Sequence, residues 1–468
     1  DDGSFVAREV EILVDCGAYG DDSPGVMGYS LLMARGPYRI PNMRAHGRLI
    51  YTNKLRFGAF RGFGNPQVSF ATESQIDEIA VELGIDPIDL RLKNALVEGD
   101  TWFGGASVGS NGLRKCIEQA QSASGWRNRG NVNVRQGKKR ALGVACTAHI
   151  SGLLATGAII RMLEDGSVVL NTGAVDIGQG SDTVLTQICA DALRVPLDMI
   201  SLASPDTDGS PYNWGTTASR VTYTTGRSIV AAAGKVEAKL KHHAAIMLEC
   251  ETKVLELRYG GRVGVRDLPD REVTFHEISL RAHWRADGPI VGSNTWVFNQ
   301  PTIDPKRAIA RGLPFPQIGV YSFGCVIVDV EVDEITGQAF VHEAWSAMDV
   351  GRAINPTLVE GQIEGAFVQG MGMALTEEMV WDGPRLANPT LVDYHVPTTL
   401  DSPRTIHSII VEEPEPDGPF GAKGVGEIGI NVVPPAIANA IAAAVGCRLR
   451  RLPMTPERIL RELIESEW

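Results

Sequence analysis

The stretch that most restricts how this chain folds is GPFGAKGVGEIGINVVPP, from Gly418 to Pro435. Gly421, Gly424, Gly426 and Gly429 fall within nine residues. A backbone without Cβ atoms reaches left-handed φ and passes close to a ligand at little steric cost. A single carboxylate, Glu427, stands among these glycines. Beyond Pro434-Pro435 the apolar run AIANAIAAAVG reads as a helix, with proline in its first turn and Gly446 past its end. The loop therefore presents one acid just ahead of a buried helix.

Gly424, Gly426 and Gly429 match G-x-G-x-x-G, yet a dinucleotide fingerprint must follow a strand directly and open the helix itself. Here the strand-like TIHSIIVEE, Thr405 to Glu413, is followed by the turn cluster PEPDGP, and the helix begins only near Pro434. The context argues against that fingerprint. A glutamate that merely caps a turn is the plain alternative.

A length of 468 residues predicts two or three domains. The formal charge of −12 argues against nucleic-acid or anionic-membrane surfaces, which attract basic proteins. No apolar run approaches the roughly 18 residues of a membrane span, and DDGSFVAREVEI at the start is not a signal peptide. The seven cysteines are scattered, with no C-x-x-C pair to hold zinc or an iron–sulfur cluster. Reduced, buried thiols and a cytoplasmic location are expected. The nine histidines show no H-x-x-x-H pattern, and His242-His243 read as helix surface, so any metal must be carried some other way.

In chain order, residues 5–13 alternate as a strand that needs a sheet from elsewhere. LRFGAFRGFGNPQ, Leu55 to Gln67, sets Arg61 between Phe60 and Phe63 on a glycine turn, either as packing or as an aromatic platform with a cationic neighbour. From Ser74 helical spacing takes over, with Gly84 as a stop and Asp86-Pro87 opening a second helix. The polar stretch Gln121 to Arg140 predicts a boundary near residue 138.

The next segment opens with ALGVACTAH and AIIRMLEDGSVVLNTG, a strand pattern turning at Asp165-Gly166. DIGQGSDT then places Gly178-Gln179-Gly180 before a helix whose first amides suit a phosphate or a polar ring edge. SPDTDGSPYNWGTTASR, Ser204 to Arg220, leads into another helix. Gly319 to Gly351 reads as two long strands joined at Thr336-Gly337, followed by a small-residue helix over NPTLVEGQIEGAFVQGMGMALTEE. The fold class is α+β.

The set AFRGFGNPQ, DIGQGSDT, TTASR, EGQIEGAFVQGMGMALTEE and GAKGVGEIG, in this order from Ala59 to Gly429, resembles the molybdenum-binding subunit of the xanthine dehydrogenase and aldehyde oxidase family. The resemblance implies a two-domain molybdopterin-binding fold, residues 1–138 and 139–468, with the first domain incomplete at its N-terminus. It implies hydroxylation of an electron-poor carbon of an aromatic N-heterocycle or aldehyde at molybdenum held by a pyranopterin dithiolene, with no protein ligand to the metal. Water supplies the oxygen, hydride passes to molybdenum, and electrons leave to iron–sulfur and FAD partners. Glu427 becomes the general base, and burial among glycines predicts a raised pKa for it. Gln179, Gly180, Ala218, Ser219 and Gly426 are expected around the pterin, in its cytosine dinucleotide form. Phe63, Tyr29 and Arg61 are expected at the substrate.

Two departures qualify this likeness. Xanthine-oxidising members carry an arginine where an ungapped count finds Tyr29, which argues against purines. The family's upstream G-G-x-F-type metal loop is missing, so a partner chain supplying the N-terminal part of the subunit is expected, as in nicotinate dehydrogenase. The other readings are a reductive dehydroxylase, such as 4-hydroxybenzoyl-CoA reductase, and a non-catalytic scaffold that keeps the fold.

Overall fold

The computed structural model describes residues 2–102, 105–128, 135–152, 154–285, 288–297 and 320–466. Residues 129–134 of the expected linker, and Gly319, lie outside the described residues.

The centre is a four-stranded mixed sheet in the order Thr405–Val411, Ala339–Asp349, Tyr321–Asp333, Lys138–Ile150. The first pair runs parallel and the other two antiparallel. Strands covered on both faces must be apolar at nearly every position, and YSFGCVIVDV is. Phe323, Cys325 and Ile327 face one apolar cluster with Cys146 and Ala148, while Val326 and Val328 face another with Ala145. Helix Leu113–Ser124 covers the first face; helices Pro356–Leu375 and Val433–Val445 cover the second.

The alanine-rich composition of Val433–Val445 has a direct steric reason. A Cβ on Gly143 would stand 2.2 Å from both Ala436 O and Ala440 N, so strand and helix touch backbone to backbone. Gly143→Ala must push them apart, and a loss of about 1–3 kcal/mol is expected in a denaturant titration.

Residues from Thr156 to Trp296 carry their own core. Val291–Trp296, Thr156–Met162, Val168–Thr172 and Ile200–Ala203 form a second sheet, in that order, under helices Ser181–Leu193 and Gly226–Met247. The turn at Asp165-Gly166 joins Thr156–Met162 to Val168–Thr172, and Gly166 adopts φ 84° there. Near residue 138, where the sequence places a boundary, the two sides share one core: Cys116 and Ile117 pack with Phe323 and Ala347.

The opening strand finds its partner inside the chain. Ala7–Gly17 pairs in parallel with Asn42–Tyr51 across helix Ser23–Met33, so the expected need for a sheet from elsewhere is corrected. Helix Asn65–Leu83 ends at Gly84 with φ 65°, and Asp86 caps the next helix through the amides of Ile88 and Asp89. Two further expectations change. By hydropathy Ile428–Val445 is long and apolar enough to span a membrane, but 78% of it is buried inside the fold. His243 is buried, and only His242 lies on the helix surface.

Candidate active site

The glycine loop is pinned from three sides. Lys423, fully buried, donates to Asp349 Oδ2 at 2.7 Å and to Ser110 O at 2.9 Å. Gly424 O accepts from Ser322 Oγ at 2.6 Å, and its N–H donates to Ser151 Oγ. Gly424 also lies directly on the TTASR loop, since a Cβ there would stand 1.8 Å from Ser219 O.

That second loop is itself strained. Ala218 and Ser219 hold φ of 52° and 49°, left-handed values that cost non-glycine residues energy unless their surroundings over-determine them. Here Arg220 does so: its buried guanidinium donates to Asn213 Oδ1, Gly215 O and Ala155 O at 2.9, 3.1 and 2.7 Å. Ser219 Oγ then accepts the Glu427 N–H at 3.0 Å and lies 3.3 Å from Glu427 Oε2, to which it donates.

Glu427 Oε1 accepts the Gly62 N–H at 3.3 Å, and Oε2 lies 3.3 Å from His149 Nε2. The carboxylate side chain is 15% exposed, and what remains open faces a cavity of about 500 Å³. Burial pushes its pKa up, but the pull of His149, the Gly62 amide and the Ser219 hydroxyl outweighs burial. The group lies below the ordinary glutamate value. The expected raised pKa is therefore corrected: a carboxylate receiving several hydrogen bonds keeps its charge.

The sequence-predicted residues divide. Gln179, Ser219 and Gly426 line the cavity with Glu427. Gln179 Oε1 accepts the Ile177 N–H at 2.7 Å, whereas its Nε2 is buried with no partner. Gly180 adopts φ 84° and caps helix Ser181–Leu193, but three of the amides around the helix start are already taken. Asp176 accepts from Gly178, Gly180 and Asp182 at 2.8, 3.4 and 3.1 Å.

Arg61, expected at the substrate, lines the cavity and is also bonded within the fold. It donates to Gly426 O at 2.6 Å and to Gln362 Oε1 at 2.9 Å, clamping the F-R-G-F turn to the glutamate loop. Tyr29, also expected there, is 1% exposed and stands behind His149, with its hydroxyl 3.2 Å from Nδ1. Phe63 is half-buried, its ring 6.3 Å from that of Tyr29.

Sequence reasoning passed over His149, Gln362 and Arg352. His149 ends the apolar run ALGVACTAH, where a lone polar residue at a buried register was the available signal. Gln362 sits inside EGQIEGAFVQGMGMALTEE, whose small-residue pattern reads as helix packing and gives no sign of a partner. Arg352, exposed at the cavity wall among the described residues, has no side-chain partner and no sequence signal.

The donor set fits a polar, planar cofactor. Gln179 Nε2 is an unmatched buried donor, and a Cβ on Gly178 would meet nothing within 4 Å. Unpaired buried donors are costly, so such a group calls for a ligand acceptor.

Residues 1–95 and 118–403 match families described as molybdopterin cofactor-binding domains. A relative named xanthine dehydrogenase molybdenum-binding subunit, from Escherichia coli O157:H7, is 33% identical over 98% of this chain and 60% of its own length. A 6-hydroxypseudooxynicotine dehydrogenase complex subunit gamma, from Paenarthrobacter nicotinovorans, is 31% identical over 98% and 58%. The structure of quinoline 2-oxidoreductase from Pseudomonas putida 86 superposes with a TM-score of 0.87 at 28% identity, covering 99% of this chain and 61% of that one. The fold is that of a molybdopterin-binding pair of domains. The chain belongs to the molybdenum hydroxylase family of xanthine dehydrogenases and aldehyde oxidoreductases. It spans about 60% of the length of the xanthine dehydrogenase relative.

Proposed function

We propose that this chain builds the base side of a molybdenum hydroxylase active site, with Glu427 as general base. One observation carries it: the only carboxylate lining the cavity among the described residues is held by three separate elements through Gly62, Ser219 and His149. A turn cap would need none of them, and a scaffold has no use for them. Bound in the cavity, a molybdenum pterin would supply the two-electron redox chemistry. Gln179 Nε2 and the Val425–Gly426 backbone are the groups that would hold it, with Ser219 on the wall and Gly180 and Ala218 next to Gln179 and Ser219 in the chain. Glu427 stays ionised at neutral pH and can take a proton from a water-derived oxygen approaching Oε1.

The finer readings have separate support. Arg352, an unpaired cation at the cavity, suits the phosphates of a cytosine dinucleotide form. Relatives named as subunits support an assembly with other subunits; iron–sulfur and FAD chains and a chain carrying the upstream part of the subunit are proposed among them on the family likeness alone. Seven free thiols suit a reducing, cytoplasmic setting. Metal and nucleotide analysis of the purified protein tests the core reading. Molybdenum with released cytidine monophosphate supports it, and a preparation that takes up no molybdenum in an active host overturns it.

Substrate class rests on Phe63. Phe63→Ala is expected to weaken an aromatic N-heterocycle by about 0.5–1.5 kcal/mol beyond lost area, with a smaller effect on an aliphatic aldehyde. Equal losses in KM for both would identify Phe63 as packing.

A further inference from the structure

We propose that His149 is a positioning residue for Glu427, held as a neutral imidazole with its proton on Nε2 by the groups that converge on Nδ1. The Tyr29 oxygen accepts the Ile150 N–H at 3.1 Å, which leaves its own O–H to donate to Nδ1 at 3.2 Å. The Asn65 amide is oriented by two independent bonds, since Oδ1 accepts from Ser69 Oγ at 2.9 Å and Nδ2 donates to Ala148 O at 2.9 Å. The same Nδ2 lies 3.3 Å from Nδ1. Asn431 Nδ2, arriving from the far end of the glutamate loop, is also 3.3 Å away. A carboxylate oxygen only accepts, so Nε2 must carry a proton to bond Oε2, and the Asn65 Nδ2 donor, fixed by Ala148 O and Ser69 Oγ, favours a lone pair on Nδ1 with the Tyr29 hydroxyl and the Asn431 amide beside it. The single ring proton therefore sits on Nε2, 3.3 Å from Glu427 Oε2.

Two consequences follow. Oε2 is tied to His149 and Ser219, which leaves Oε1 as the oxygen that meets the proton. The hydrogen bond from His149 is the largest of the effects that lower Glu427, and a neutral ring keeps that bond without setting a full charge beside the carboxylate. The groups facing the pair from surrounding elements are Tyr29, Tyr321 and Arg61. Burial holds both phenols far above their ordinary value, and Arg61 stays cationic.

The test has two arms. ¹⁵N NMR of histidine-labelled protein, with the His149 signal assigned by its loss in His149→Gln, is expected to show a bare Nδ1 and a protonated Nε2 at neutrality and at pH 6. A doubly protonated ring or a proton on Nδ1 overturns the proposal, whatever Glu427 does. The kinetic arm rests on Glu427 being the base. His149→Phe is expected to lower kcat/KM by about tenfold or more and to move the acid limb to higher pH, because a donor to the carboxylate is lost. His149→Gln, which keeps an N–H donor, is expected to return the limb toward wild type. Equal losses in the two variants with an unmoved limb would mark His149 as structural. Turnover that survives Glu427→Gln would instead sink the base assignment and leave the NMR result standing.

Discussion

Glu427→Gln is expected to lower turnover by about 10²–10⁴-fold while molybdenum content stays at the wild-type level. Glutamine keeps the size of the side chain and can still accept from either the Gly62 amide or the Ser219 hydroxyl, but it cannot take up a proton. The loop does not depend on the charge, because Lys423, Ser322 and Ser151 pin it independently. Loss of activity with retained cofactor therefore reads as loss of the base. The pH profile gives a second check. Because hydrogen bonds depress the carboxyl, the acid limb of kcat/KM should lie below the ordinary glutamate value of 4.5, with a plateau from there to neutrality. In stability the sign is the same: the contribution of Glu427 is present above its unfolded pKa and is lost as pH falls through the lower folded one. An acid limb near pH 6 to 7, or near wild-type turnover in the variant, would remove Glu427 from the role.

Gly424→Ala is expected to damage activity and stability together. Its Cβ would lie 1.8 Å from Ser219 O and 3.0 Å from Ser219 Cβ, and neither neighbour is the end of a flexible side chain. Ser219 already holds a left-handed φ, and its Oγ carries two of the contacts to Glu427. The two loops must part. A stability loss of about 1–3 kcal/mol is expected in denaturant titration, and a displacement of about 1 Å at the base is enough to cost roughly 10²-fold in kcat/KM. Gly426→Ala is the control for stability, because a Cβ there would find only ordinary contacts at 3.7 and 3.8 Å to Ser219. Equal loss of stability in both variants would show that the close contact of the two loops at Gly424 is not what holds them.

The glycine pattern, the turn residues and the apolar runs were legible because each acts over a few neighbouring residues. The helix after Pro434-Pro435, the stop at Gly84, the Asp86 cap and the turn at Thr336-Gly337 all follow from local backbone preference and period. The order of five short motifs carried the family. Local preference could not say which groups meet across hundreds of residues. It could not show that Arg61, at the cavity, also bonds Gly426 and Gln362, and it gave Tyr29 a wall position when burial places it behind His149. The direction of the Glu427 shift also reversed, since burial is visible in a sequence while the three donors that offset it come from three distant segments. By itself the sequence determined that one acid would stand on a tight glycine loop ahead of an apolar helix, because glycine and proline restrict the backbone where they stand. Only the tertiary structure decided which oxygen of that acid is tied and which is open, because His149, Ser219 and Gly62 reach it through packing that no local pattern encodes.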